Sequence, residues 1–370
     1  MKVTTSQVRR YRVHAQQLDR APRADRAPGE AAVLDLGVQD TGPDGALWAL
    51  TLRGVPVTAG HWPHELALAW TMRGAPHAYR RGDLRDVERM LRPYSEADAA
   101  KRVMNAAGPL KAAGIPVVEA MAATARTMRE VVTEPLAKGE LSTRMTAQMP
   151  DAYLRWCPAC NATHMYEMPF RLAALHAGLE LEPGTSPPVV RRIPHWPAAQ
   201  VGVLERADEA GAPDPVRTLL HLAGPLTAKQ VGVYFDVPVR DILARWPADA
   251  VPVDVDGTES YLLEADTEAL RSTTDAGTVR LLGPYDLFLS TGDRDVVVPD
   301  RSRHKALWQA IGRPGAVLAG AEIVGTWRPR ARGGTLGLEL DEWVPWDAAT
   351  RRAVETEHAR LATFRGVEPR

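Results

Sequence analysis

Apolar positions recur at helical spacing from the start of the chain. Val8, Tyr11, Ala15 and Leu18 fall on one face of residues 4–18, TTSQVRRYRVHAQQL, and predict an amphipathic helix. The proline- and charge-rich RAPRADRAPGE (20–30) comes next as a connector. AAVLDLGV (31–38) and ALWALTLRG (46–54) read as short helices or buried segments. Between them lies a polar, glycine-punctuated break, DLGVQDTGPDG (35–45). LALAWTMRGAPHAYRR (66–81) gives an apolar run, a Gly-Ala-Pro break and a polar–aromatic run, as a β-hairpin with a buried first strand would. Residues 117–138 carry helical periodicity that Pro135 ends or kinks, and Ser142 or Thr143 offers an N-cap within GELSTRMTAQMP (139–150). FRLAALHAGLELEPGTSPPVVRR (170–192) reads as a helix ending at Gly178, then a hairpin turning through EPGTSPP.

Residues 216–263 show the clearest order of elements. VRTLLHLAGPL is a helix stopped by Gly224-Pro225. TAKQVGVYFD is a second helix capped by Thr227, and VPVRDILARW is a third with Pro238 near its first turn. VPVDVDGTESYLL then gives two strands joined by Asp256-Gly257. Three helices and then a hairpin is the winged-helix order, whose third helix commonly enters the DNA major groove. From 278 to 342 short strands alternate with glycine turns, as in a small antiparallel sheet or barrel, and a charged helix (347–365) closes the chain. The expected fold class is therefore α+β: tandem winged-helix units and a C-terminal antiparallel β-barrel-like domain. The units are read as 1–100, 101–200, 213–272 and 277–370.

Composition excludes several alternatives. The hydrophobic content is 45% and the charged content 25%, those of an ordinary soluble domain protein. No apolar run approaches the roughly 20 residues that span a bilayer, and the charged N-terminus lacks a secretory h-region, so a cytoplasmic location is expected. The net charge is −1, yet 39 of the 45 basic residues are arginine, the side chain whose planar fork suits phosphates and guanine edges. A genomic base-composition bias gives the same count. No P-loop or dinucleotide-binding glycine fingerprint is present, which argues against nucleotide hydrolysis and hydride transfer.

Five stretches in order resemble the winged-helix DNA-binding superfamily that contains the AlkZ-type DNA glycosylases. They are LGVQDTGPDGALWALTLRG (36–54), AWTMRGAPHAY (69–79), HLAGPLTAKQVGVYFDVP (221–238), VRLLGPYDLFLSTGDRDVVVP (279–299) and AEIVGTWRPR (321–330). The resemblance implies tandem winged helices with a β-barrel, a double-stranded DNA partner, a monomer associated with the nucleoid, and excision of N-alkylated purines or unhooking of crosslinks. No metal is implied for catalysis. The family's catalytic motif, glutamine–apolar–glutamine or aspartate, falls on Gly37-Val38-Gln39, so Gln39 matches the second polar position and glycine replaces the first. Gln39 and the adjacent Asp40 are the catalytic candidates, and a helix cap or turn is the competing role for both. With one glutamine missing, a non-catalytic DNA binder (a regulator or damage binder) is the alternative to a glycosylase.

Candidate DNA contacts are Arg73, His77 and Arg80 around the first hairpin turn, Arg240 at the start of the third helix of 216–263, and Arg328, Arg330 and Arg332 at alternate positions of TWRPRARGG. An extended strand puts those last three on one face; solvated surfaces are the plainer reading of six of the seven, and a cap or a pair with Asp241 or Asp236 that of Arg240. RWCPACNATHMYE spaces Cys157, Cys160 and His164 as C-x2-C-x3-H, which suits a structural zinc, with His176, Glu167 or water as fourth ligand. Two reduced cysteines in a turn would look the same. Tyr285-Asp286 and Asp293-Arg294 resemble a family signature, with Asp286 expected in an ion pair.

Overall fold

A computed structural model describes residues 1–206 and 213–370. They divide into two compact units, each assembled from separated stretches of chain. The first comprises Met1–Pro63, Pro215–Tyr234 and Trp246–Arg370. The second comprises His64–Asp214 and Phe235–Arg245.

The first unit begins with the expected helix, Thr5–Ala15. Thr4 caps it by accepting from the Gln7 backbone N–H (3.2 Å), while the Gln7 side chain accepts from the Thr4 N–H (2.9 Å), so two N–H groups that lack helical partners are satisfied reciprocally. Its inner face buries Val8 and Tyr11 against Val3, Val253, Val255, Leu262 and Leu270. All but Leu270 of those partners belong to a three-stranded sheet in which Lys2–Val3 runs parallel to Ala250–Val255, which forms an antiparallel hairpin with Thr258–Leu263. Asp256 (φ 48°) and Gly257 (φ 88°) both turn left-handed, as a tight two-residue hairpin connection requires.

The helices Pro215–Ala223, Ala228–Phe235 and Val239–Leu243 precede that hairpin in the expected order. The segment Phe235–Arg245, which carries the third helix, belongs to the second unit, so this helix series is divided between the two bodies.

The C-terminal part of the first unit is a five-stranded sheet curled into a half barrel. Its order is Val279–Leu282, Gly315–Ala319, Glu322–Arg332, Thr335–Glu342 and Glu368–Pro369. The first four strands are antiparallel, but the last joins Thr335–Glu342 in parallel, a departure from the purely antiparallel expectation. The charged helix Ala348–Phe364 is capped by Asp347, which accepts from the Thr350 N–H at 2.7 Å. It buries Val354, Leu361 and Phe364.

In the second unit the expected hairpin is Leu66–Trp70 with Pro76–Arg80. The sheet continues from Leu66–Trp70 through Leu179–Leu181 and Val189–Arg192 to Leu136–Ala137, all antiparallel. Helices Val117–Val131, Lys138–Thr146 and Glu167–His176 belong to this unit. Ser142 and Thr143 are not caps. They lie inside Lys138–Thr146, where the Thr143 hydroxyl bonds back to the Gly139 carbonyl at 3.1 Å. The interior holds a polar knot centred on Glu88, which is fully buried. Its carboxylate accepts from Arg92 (3.0 and 2.9 Å), from His176 Nδ1 (2.6 Å) and from Gln200. Burial acts to raise its pKa, but the hydrogen bonds, His176 foremost, outweigh it and hold the group below the ordinary range.

Candidate active site

Gln39 ends a two-residue strand, Val38–Gln39, just ahead of the helix Gly45–Leu52. Seven of that helix's eight residues are buried, because its sequence, GALWALTL, is apolar all round. It is also pinned by polar contacts. Trp48 Nε1 donates to the Leu281 carbonyl (2.8 Å) on the first strand of the half barrel, and the Trp48 ring packs against Phe364 at 5.3 Å.

At the helix end, Arg53 forms a two-pronged ion pair with Asp286 at 2.8 and 2.9 Å, and both side chains are only 1% exposed. Arg53 also donates to the Ala49 carbonyl (2.9 Å), and Asp286 accepts from the Phe288 N–H (3.0 Å). Asp286 thus has the ion-pair role expected of it. Asp293 instead pairs with buried Arg12 at 2.5 Å. The helix that follows the Gln39 segment is therefore held by buried polar contacts.

Asp40 fastens the start of this helix. Its Oδ1 accepts from the Ala46 N–H at 2.9 Å. Burial raises its pKa, with backbone donors opposing and Asp44 reinforcing the shift. Gln39 differs: it is half-buried, and its Nε2 donates to Thr41 Oγ1 at 2.9 Å. That bond orients the amide so that Oε1, which accepts from no other described residue, is left to bind something else. Gly37 has φ 83°, the left-handed region, so the residue standing where the family motif carries its first glutamine is set by backbone shape.

The DNA-contact candidates fare unequally. In the second unit, Arg73 is exposed at the hairpin turn in a left-handed conformation (φ 56°). His77 is not a surface group but is 2% exposed. Its Nδ1 lies 3.0 Å from the Ala75 carbonyl and 2.9 Å from the Thr71 hydroxyl. A carbonyl only accepts, so Nδ1 carries the proton. Burial, reinforced by Arg73, pushes the pKa down to about 4, so the ring is a neutral fastener of the turn. Arg80 is half-buried and pairs with Asp83 (3.2 Å). Arg240 keeps 72% of its side chain exposed, 3.7 Å from Asp241.

In the first unit, Arg328, Arg330 and Arg332 do share one strand, but two are engaged. Arg328 donates to the Gly312 carbonyl and to Gln309 (3.1 Å), and Arg330 pairs with Glu339 across the ribbon. Arg332 is exposed at the ribbon tip.

Cys157, Cys160 and His164 come together, their ligating atoms all within 4.8 Å of one another. Hydrogen bonding with His164, then with Cys160, lowers the Cys157 thiol below its ordinary range. Both side-chain candidates for a fourth ligand are committed elsewhere. Glu167 accepts from Lys138 (2.7 Å) and Arg171 (2.5 Å), and His176 is bound to Glu88.

Sequence reasoning misses the Arg53 partner of Asp286 and the Glu88 knot. Only the i,i+4 spacing of Glu88 and Arg92 hints at the latter.

The Gln39 segment, its helix and the first four strands of the half barrel fall within a match to a protein-family model, DNA glycosylase AlkZ-like, over residues 33–364. The chain belongs to the AlkZ-like DNA glycosylase family. It is similar to an interstrand DNA cross-link repair glycosylase of Streptomyces sahachiroi, at 27% identity over 183 residues. That match takes in 46% of this chain and 48% of the relative, so it spans about half the relative's length. Among solved structures it resembles the Streptomyces sahachiroi DNA glycosylase AlkZ in fold, with a TM-score of 0.71, 20% identity and full coverage of both chains.

Proposed function

We propose that the protein hydrolyses the N-glycosidic bond of N-alkylated purines in duplex DNA, including those that tether the two strands, with Gln39 placing the attacking water. On this reading the helices of 216–263 act as a winged-helix DNA-binding element. The observation that carries the reading is the free Oε1 of Gln39, in a segment fastened to the core and lying within the family match.

The chemistry asks little of the protein. The C1′–N bond breaks to give an oxocarbenium-like sugar, and an alkylated purine, already cationic, leaves as a neutral base without prior protonation. Water then adds to C1′ and loses a proton to solvent. Gln39 Oε1 accepts a hydrogen bond from that water, and its dipole faces the positive charge growing on the sugar. A single oriented amide serves because no acid is needed at the leaving group. Asp40, whose Oδ1 accepts from the Ala46 N–H, positions the segment.

The test is incubation with duplexes carrying N7-methylguanine or an N7-linked interstrand crosslink, with detection of abasic sites. Excision by the wild type, reduced about 10²-fold or more in Gln39→Ala, is expected. No abasic sites from wild-type protein that binds the same duplex would retire the proposal.

A further inference from the structure

The cysteine–histidine cluster plays no part in the glycosylase reading and stands on a different element. Leu154–Cys157 and Ala162–Met165 form a two-stranded antiparallel ribbon that is a sheet of its own. The ribbon packs on the helix Lys138–Thr146 and buries Cys157 and Met165, while its turn, residues 158–161, stays exposed. The register pairs Cys157 with Ala162 and Arg155 with His164. Side chains directly opposite one another, and those two apart on one strand, share a face, so Cys157, Arg155 and His164 all project to the same side. The turn reverses through Asn161 in a left-handed conformation (φ 49°), bringing Cys160 to the same place.

We infer that this ribbon is a zinc knuckle, with the ion held by the thiolates of Cys157 and Cys160 and by Nε2 of His164, and with water completing a tetrahedral set. Three features beyond the spacing support it. His164 Nδ1 lies 2.7 Å from the Met165 carbonyl, which can only accept, so the proton sits on Nδ1 and the Nε2 lone pair is directed outward. A backbone carbonyl fixing the far nitrogen is the usual outer-shell arrangement of a metal-binding histidine. Arg155 Nη2 donates to Cys157 Sγ at 4.0 Å, an outer-shell hydrogen bond to one of the sulfurs. The donor set, two soft sulfurs and one imidazole, is one that zinc prefers. Zinc distances of about 2.0–2.3 Å set tetrahedral ligand atoms somewhat under 4 Å apart, a small movement for an exposed turn whose donor atoms lie within 4.8 Å of one another. Cys157 is buried and Cys160 exposed, so the open position faces solvent.

The test uses the full chain, purified without chelator, loaded with zinc and desalted. Elemental analysis should find one zinc per chain, removed by prolonged treatment with a strong chelator. Cobalt in its place should give thiolate-to-cobalt charge-transfer absorption and the intense visible bands of a tetrahedral ion. Cys160→Ser, at an exposed position that leaves the core intact, and His164→Ala should each lower zinc affinity at least about tenfold in competition with a chromophoric chelator. Circular dichroism confirms that both variants fold. The inference is overturned if the wild type retains no zinc or cobalt, if both variants bind as the wild type does, or if the zinc-loaded protein in air-saturated buffer loses its metal to a Cys157–Cys160 disulfide formed with oxygen as oxidant. These readouts do not involve DNA, so their failure leaves the glycosylase reading untouched.

Discussion

The Arg53–Asp286 pair makes the sharpest prediction about the support of the Gln39 segment. Both side chains are 1% exposed and joined by two hydrogen bonds, and each makes one further bond to the backbone. Arg53→Met removes the cation and leaves the Asp286 carboxylate buried without its counter-charge. Breaking a pair of this kind costs about 3–5 kcal/mol, because the stranded charge cannot reach water. In a unit of this size each kcal/mol lowers Tm by roughly 2–4 °C, so a fall of about 10 °C is expected. Asp286→Leu alone should cost a similar amount by stranding the guanidinium.

The double variant Arg53→Met/Asp286→Leu should recover most of the loss, since a buried pair replaced by packed apolar groups is often close to neutral. Urea unfolding of the four proteins, read by tryptophan fluorescence and circular dichroism, closes the cycle. A single variant costing less than about 1 kcal/mol, or a double variant losing the sum of both singles, would refute the reasoning. On the proposed function, excision assayed at low temperature, where Arg53→Met is still folded, should also fall, because the Gln39 strand leads into the helix this pair secures.

Other residues give further expected outcomes. His77 titrates at about 4 in the fold against about 6.5 when unfolded, so the unfolded chain takes up the proton first. Its stabilisation is whole above about pH 6.5 and drains away as pH falls toward 4, by about 3 kcal/mol, so Tm measured across that range should drop less steeply in His77→Gln than in wild type. Gly37→Gln, which restores the glutamine of the family motif, should lower stability by about 1–2 kcal/mol because φ 83° disfavours any side chain; gain of excision at unchanged Tm would contradict this. Glu339→Gln releases Arg330 and should tighten duplex binding and steepen its salt dependence, whereas Arg332→Ala should lower the slope of log K against log salt by about 0.9.

What is legible in the sequence is local. The Val8, Tyr11, Ala15 period marks a helix, and Asp256-Gly257 marks a tight turn, because both signals lie within a few residues of one another. Gln39 and Asp40 stand out, but spacing alone cannot assign one to a free amide and the other to the Ala46 N–H. That choice depends on where the chain goes after Gly42 and Asp44, both left-handed. The Arg53–Asp286 pair joins positions 233 apart, and no periodicity reaches that far. A surface position is the natural expectation for His77 because hairpin tips are usually solvated; here Thr71 and Ala75 supply the polar partners that allow it inside. The alternate arginines of 328–332 do lie on one strand, yet the carboxylate facing them comes from the next strand, Glu339.

The interleaving of the chain between its two bodies has a consequence for biosynthesis. The helix behind Gln39 is translated before the groups that hold it, Leu281, Asp286 and Phe364, which follow more than two hundred residues later. A polypeptide released before those residues are made therefore lacks the partners that hold the helix behind Gln39, and on the proposed function it could not yet act on DNA.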